Sequence, residues 1–138
     1  MSGLASILAG RRTPGLYAWH AAYDADEVRH TVEHAGWTFG HVDGWVTGSE
    51  AELHAALAAT FGFPDWYGGN LDALWECLVT CVTGPAVLLW DGWGPLARAD
   101  PDRFARLLRV FRDRTAEAPP FAVLLRGEGP DIDVPSLD

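Results

Sequence analysis

The most informative stretch of this 138-residue chain reads PDWYGGNLDALWECL and spans residues 64–78. Asn70 is placed to cap a helix that runs to about residue 81, and the two glycines before it give the loop its backbone freedom. At 100° per residue, one stripe of this helix faces the core: Leu71, Leu74, Leu78 and Cys81. Asp72 and Glu76 lie four residues apart on the opposite face, and Trp75 lies at the border between the two faces. The segment therefore predicts an amphipathic helix whose outer face is acidic.

The acidic face has no cation near it in the sequence. No lysine or arginine occurs from residue 30 through residue 97, whereas eight acidic residues do. Two carboxylates at this spacing repel each other by roughly 0.2–0.5 kcal/mol in an isolated helix. Asp72, in the first turn, recovers part of that energy through the helix dipole, whereas Glu76 lies too far from the N-terminus of the helix to do so. Spacing alone is typical of a solvated helix face, but a surface left so unneutralised also suits a strongly basic partner.

Helical and strand-like patterns alternate on both sides of this segment. Apolar runs predict four strands, at residues 15–20, 37–42, 86–90 and 121–125. Further helices are predicted at residues 25–35 and 100–117, and a third is opened by Ser49 and stopped by Phe63. This alternation predicts an α/β fold, a small parallel sheet covered by helices, in a single domain over residues 1–138. The remaining segments are expected to be irregular: a frayed arm at 1–14, a loop at 91–99 and a loose tail at 127–138.

Bulk composition limits the possible partners and cofactors. The formal net charge of −9 argues against nucleic acid and anionic membranes as partners. We recognise no targeting signal or membrane-spanning run, and Cys77 and Cys81 are spaced like reduced thiols in a helix, so we expect a cytoplasmic protein. His30 and His34 have a zinc-compatible spacing, but no further ligand cluster supports a site. We therefore expect no metal and no cofactor.

The segment resembles the signature of the barstar family of intracellular ribonuclease inhibitors. That signature is an aromatic pair, a glycine, a variable residue and then Asn-Leu-Asp-Ala-Leu-Trp-acid-Cys-Leu, which here occupies residues 66–78. The resemblance continues without gaps over about residues 38–126, and it implies the family's three-stranded parallel sheet. Residues 1–37 lie outside the resemblance, and we expect them to add one N-terminal strand and a helix.

The resemblance implies an inhibitory mechanism and no enzymatic activity. In the family, this helix and the loop before it enter the nuclease active site, where their carboxylates take the places of substrate phosphates. By position, Asp72 and Glu76 are the expected phosphate mimics, and Trp66 is expected to stack at the base or catalytic-histidine region. The rest of the expected contact surface is Tyr67, Gly68, Asn70, Ala73 and Trp75. The implied partner is a basic, extracellular, barnase-like ribonuclease, and the free inhibitor is expected to be a monomer.

Departures from the family pattern leave alternatives open. Glu76 stands where most relatives have Asp, Trp66 where Tyr is usual, and Gly69 where the loop commonly has an acid. These changes suggest a different partner or a weaker hold, so the alternative is a barstar-fold immunity or interaction protein whose partner is not a ribonuclease. A further family contact maps onto Asp113, although Arg109, one turn earlier, could pair with it. An enzyme that used the acid pair as general acid and base would lack a nucleophile or metal motif nearby.

Overall fold

The computed structural model describes residues 1–138 and contains one four-stranded, all-parallel sheet. Its strands are β1 (Leu16–Ala18), β2 (Thr38–Asp43), β3 (Ala86–Asp91) and β4 (Phe121–Arg126). They lie in the order β1-β4-β3-β2, so β1 is an edge strand beside β4. The two central strands, β3 and β4, bury five of their six residues, in agreement with their continuous apolar runs. The predicted α/β fold with an added N-terminal strand is confirmed.

Six helices complete the fold: α1 (Ser2–Leu8), α2 (Ala25–His34), α3 (Glu50–Phe61), α4 (Leu71–Thr80), α5 (Gly94–Ala99) and α6 (Pro101–Thr115). Four of them follow a residue whose side chain accepts a hydrogen bond from the backbone N–H three residues on: Asp24, Ser49, Asn70 and Asp100. The helix starts predicted from capping residues are confirmed, because a cap depends only on residues close in sequence. None of the six helices combines the length and apolar composition needed to cross a bilayer.

The sheet separates two apolar clusters. Along β3, Leu88 and Trp90 point into the larger cluster, and Val87 and Leu89 point into the smaller one. Helices α3, α4, α5 and α6 cover the larger cluster, whereas α1 and α2 cover the smaller. Helix α2 carries the chain from β1 to the far edge at β2, and the later connections step back through β3 to β4. The direction in which the chain moves across the sheet therefore reverses after β2. Because crossovers between parallel strands are right-handed, this reversal places α2 on the opposite face of the sheet from the helices of the later crossovers.

Both chain ends differ from the sequence prediction. The expected frayed arm forms α1, whose Leu4 is fully buried. The expected loose tail runs beside β1, where Ser136 forms a bridge and Leu137 is buried. An oxygen of the Asp138 carboxylate accepts a hydrogen bond from the backbone N–H of Gly3 at 3.0 Å. The expected fraying of the N-terminal arm was wrong, and the C-terminal tail is irregular as expected but packed rather than loose. The sequence could not predict this packing, because the contacts join segments more than a hundred residues apart.

Two smaller corrections concern residues 91–99 and the inner face of α4. The expected loop contains the short helix α5, which packs beside α6. The buried residues of α4 are Leu74, Cys77 and Leu78, so Cys77 faces the core where Cys81 was expected to do so. The acidic stripe on the other side of α4 is unaffected by this small rotation.

Candidate partner-binding site

Helix α4 is held firmly at both ends. At its start, Oδ1 of Asn70 accepts a hydrogen bond from the backbone N–H of Ala73 at 2.8 Å. Near its end, the buried Arg114 of α6 donates from Nε to the carbonyl oxygen of Leu78 at 2.8 Å, and from Nη1 to two further carbonyl oxygens at 3.0 Å. Between these points, Leu74 and Leu78 pack into the larger cluster. The outer face of α4 is therefore presented on a fixed support.

That outer face carries two available carboxylates. Asp72 and Glu76 are both exposed and lie one helical turn apart. The four ion pairs of the molecule involve other residues, so neither carboxylate has an internal cation. Both can therefore meet a cationic group of another molecule without first breaking an internal pair.

Most of the other acids between residues 30 and 97 are also without an ion pair to arginine. Two of the eight acids between residues 30 and 97 bind arginines from later elements: Glu50 binds Arg103 at 2.9 Å, and Asp91 binds Arg126 at 2.6 Å. The other six bind no arginine: Glu33, Asp43, Glu52, Asp65, Asp72 and Glu76. Three of these unpaired acids, Asp65, Asp72 and Glu76, lie on α4 or on the loop before it.

The loop before α4 exposes one aromatic side chain and anchors the next. Trp66 is 60% exposed. The ring of Tyr67 packs edge-on against Phe63, with 4.9 Å between ring centroids, and its hydroxyl is hydrogen-bonded to Nδ1 of His54. Burial raises the pKa of Tyr67, so the phenol stays protonated at neutral pH. Tyr67 therefore fixes the loop, and Trp66 remains open to solvent.

His54 connects this loop to two helices. It is buried near the start of α3, and its Nε2 lies 3.2 Å from Oε1 of Glu50, one turn earlier. Both oxygens of Glu50 accept a hydrogen bond from Nε of Arg103, near the start of α6, at 2.9 Å. A chain of polar contacts thus runs from Tyr67 through His54 and Glu50 to Arg103. The sequence alone could not identify Arg103 as part of this chain of contacts, because it lies 53 residues from Glu50.

The remaining predicted contact residues flank the acid pair. Gly68 is exposed, as is the capping residue Asn70, whereas Ala73 and Trp75 are half-buried on the two sides of α4. Gly69 has a φ of +68°, a backbone conformation that glycine adopts without strain. All the residues predicted on the loop and on α4 are therefore at least partly exposed to solvent.

Val79 is an exposed apolar residue of the same face that sequence reasoning missed. It is 45% exposed and lies three residues after Glu76 and seven after Asp72, which places the three side chains on one stripe. The spacing was visible in the sequence. An apolar residue next to the core residue Leu78, however, is assigned by default to packing.

Asp113 lies apart from this stripe, on the exposed side of α6, which packs beside α4. The pairing with Arg109 that the sequence left open does not occur, because Asp113 takes part in none of the four ion pairs. Its carboxylate is therefore unpaired, like those of α4.

Comparison with known proteins identifies the family. The family model described as Barstar (barnase inhibitor) matches residues 37–126, which include the whole surface described above. The chain belongs to the barstar family. YrdF of Bacillus subtilis (strain 168), named as a candidate ribonuclease inhibitor, is 51% identical over 37 residues. That match covers 27% of this chain and 41% of YrdF, so the chain spans less than half of that relative.

Solved structures share the fold at low sequence identity. Drosophila ORC bound to DNA has a TM-score of 0.55 and 13% identity, over 85% of this chain and 33% of its own. The Aeropyrum pernix ORC2 protein has a TM-score of 0.58 and 16% identity, over 93% of this chain and 38% of its own. This chain therefore spans about a third of those proteins. At such identities the likeness concerns the parallel α/β arrangement alone.

The N-terminal addition of this barstar-family chain lies on the far side of the sheet from the site. Residues 1–36 contain α1, β1 and α2, and the two helices cover the smaller cluster. Helix α4 and the loop before it lie on the opposite face, over the larger cluster. The addition is thus part of the folded core and leaves the acidic surface uncovered.

Proposed function

We propose that this barstar-family chain inhibits a basic ribonuclease by inserting the outer face of α4 and the loop before it into the active site. The observation that carries the proposal is the acid pair: Asp72 and Glu76 are exposed, one turn apart and unpaired. Side chains at this spacing have Cβ atoms about 5–6 Å apart, at which two carboxylates can stand in for successive RNA phosphates. The cationic groups that hold RNA would bind these carboxylates instead.

Neighbouring residues would complete the contact. Trp66 offers an exposed ring for stacking where a base would lie, and Val79 offers an apolar contact farther along α4. Asp113 on α6 would meet a cation at the rim. Charge pairs that lose water at the centre would slow dissociation, whereas the net charge of −9 would speed encounter with a basic enzyme.

The proposal includes a cellular setting. The partner would be a barnase-like ribonuclease that acts outside the cell after secretion. This chain would act in the cytoplasm as a monomer, and it would block any nuclease molecules that fold before export. The family description as a barnase inhibitor supports the choice of a barnase-like partner.

Inhibition of RNA cleavage tests the proposal directly. The purified chain is titrated into barnase and into a panel of other basic bacterial ribonucleases, and the initial rate of cleavage of a fluorogenic RNA is followed. The double variant Asp72→Asn, Glu76→Gln keeps the size of both side chains and removes both charges. Because truncating one partner of a buried charge pair costs about 2–5 kcal/mol, the double variant should bind at least about 30-fold more weakly.

A matched control separates the site from net charge. The double variant Asp26→Asn, Glu33→Gln changes the total charge equally, but on exposed positions of α2. It should inhibit within a few-fold of the wild type, and equal losses in the two double variants would contradict the proposed site. The proposed function is overturned if the wild-type chain inhibits no ribonuclease of the panel. Capture of a non-nuclease toxin by the wild type would then favour an immunity protein of a different kind.

A further inference from the structure

A second exposed apolar surface lies outside the site described above. Trp45 and Val46 are consecutive residues of the loop between β2 and α3, residues 44–49, and they are 63% and 74% exposed. Neither residue belongs to either apolar cluster. Two neighbouring large apolar side chains that contribute nothing to the core are available for contact with another molecule.

The loop holds these two residues in one position. The backbone N–H of Trp45 donates to Oδ1 of Asp43 at 3.0 Å, and that of Val46 donates to the carbonyl oxygen of Asp43 at 3.1 Å. The backbone N–H of Gly44 donates to the carbonyl oxygen of Asp91, at the end of β3, at 2.6 Å. The turn is therefore tied to the sheet, and little conformational freedom remains to be lost on binding.

Two glycines support the inner side of the indole. A Cβ atom at Gly92 would lie 2.9 Å from the ring of Trp45, and one at Gly127 would lie 3.8 Å from it. Both glycines have positive φ, +70° and +116°, so the ends of β3 and β4 form a bare backbone support for the ring. Packing on this side and 63% exposure overall leave the opposite side of the ring open to a partner.

This surface and the α4 site lie at the same end of the fold. The loop that carries Trp45 leads directly into α3, and Ser49 caps that helix. The loop that carries Trp66 is joined to the first turns of the same helix through the Tyr67–His54 hydrogen bond. Both loops that carry an exposed tryptophan are therefore connected to the start of α3.

The negative charge of this chain indicates which class of partner covers the surface around Trp45 and Val46. Asp43 just before the first loop, Glu52 between the two loops and Asp65 in the second bind no arginine, whereas Glu50 between the loops binds Arg103. A net charge of −9 opposes a second copy of the chain as the occupant, and it equally opposes nucleic acid and anionic membranes. A basic protein is the class of partner that fits.

We infer that Trp45 and Val46 form a second contact point for the same basic ribonuclease, so that its footprint extends from α4 across the start of α3. The inference rests on the proposed function. A standard interface draws on about 20–30 residues from each side, more than residues 64–80 can expose. The partner would need an apolar depression bordered by arginine or lysine, outside its active site, to receive the indole.

Dissociation rates test the inference, with the most strongly inhibited ribonuclease of the panel immobilised as the probe. The variant Trp45→Ala should dissociate at least about 30-fold faster, as expected when a tryptophan anchor is removed. Because the α4 site stays intact, the variant at saturation should still abolish RNA cleavage. Val46→Arg, at a position 74% exposed, spares the fold and should also weaken binding, since it brings a positive charge against a basic surface.

The control is His34→Ala, an exposed position on α2 on the other face of the sheet, which should match the wild type. Wild-type binding by Trp45→Ala and Val46→Arg, together with loss of binding by the Asp72→Asn, Glu76→Gln variant, would overturn the inference and leave the proposed function standing. Failure of the wild type to inhibit any ribonuclease would overturn both. A wild-type dimer in sedimentation that Val46→Arg converts to monomer would assign the surface to a second copy, and it would also overturn the inference.

Discussion

Replacing Asp91 with Asn should weaken the fold in a way that depends on pH. Asp91 lies at the end of β3, where its carboxylate accepts hydrogen bonds from Nε and Nη2 of Arg126 at 2.6 and 3.0 Å and lies 2.8 Å from Nε2 of His41. Burial acts to raise the pKa of Asp91, but the hydrogen bonds from His41 and Arg126 and the charge of Arg126 outweigh it. Together they lower that pKa from 3.8 to about 2.

The lowered pKa of Asp91 determines how much stability its carboxylate contributes and at which pH that contribution is lost. The folded and unfolded pKa values of Asp91 differ by about 2, which at about 1.36 kcal/mol per pKa unit corresponds to about 2–3 kcal/mol of stability. The charged form is the one favoured in the folded state. The stabilisation is therefore complete above the unfolded pKa of 3.8, and it is lost as the pH falls through about 2.

Urea unfolding at pH 7, 5, 3 and 2, followed by tryptophan fluorescence, measures this effect. Asp91→Asn should be less stable than the wild type by about 2 kcal/mol at pH 7 and pH 5, and the difference should shrink toward zero at pH 2. Asp131→Asn, at an exposed carboxylate without an ion pair, should match the wild type throughout. A difference that stays constant down to pH 2, or no difference at pH 7, would refute the reasoning.

Three further predictions follow from contacts that hold the site and the core. Arg114→Met should lower the free energy of unfolding by about 2–4 kcal/mol in urea titrations, because it removes the donor of three carbonyl oxygens, one of them, that of Leu78, in a buried hydrogen bond. Arg114→Lys should recover little of that loss, since a compact ammonium group cannot reach all the carbonyl oxygens that the separate N–H donors of a guanidinium reach. Tyr67→Phe removes the hydroxyl bonded to His54, so it should cost about 1–2 kcal/mol of stability and raise the dissociation rate from the nuclease. Deletion of residues 1–12 uncovers the smaller cluster and should abolish the cooperative thermal transition seen by circular dichroism; a wild-type midpoint would contradict this packing.

The sequence predicted those parts of the fold that are determined by residues close to one another in the chain. The caps at Ser49 and Asn70 were identified from single residues and their neighbours, and each accepts the expected hydrogen bond. The central strands were found because an apolar run of five residues between turn signals can bury both faces. Contacts at the termini were not found, because a hydrogen bond between Gly3 and Asp138 leaves no trace in local composition.

The acidic surface was predictable for a similar reason. Helical periodicity alone separates Asp72 and Glu76 from the buried Leu74 and Leu78, and the structure confirms that the two carboxylates are exposed. The groups that support the surface could not be assigned in this way. Arg114 lies on an arginine-rich helix, and only the folded chain shows that its side chain is buried and donates to α4.

The fold keeps its stabilising charges apart from the charges proposed to bind a partner. Its two arginine ion pairs lie at the end of β3 and the start of α3, where arginines from β4 and α6 meet Asp91 and Glu50. If surface ion pairs fixed α4 instead, a nuclease would have to displace them before it could bind the acid pair. Helix α4 is fixed from behind, by apolar packing and by the carbonyl hydrogen bond from Arg114. The repulsion between Asp72 and Glu76 costs only about 0.2–0.5 kcal/mol, which is small against the usual stability of about 5–15 kcal/mol for a folded protein. The chain can therefore keep both carboxylates unpaired and still fold.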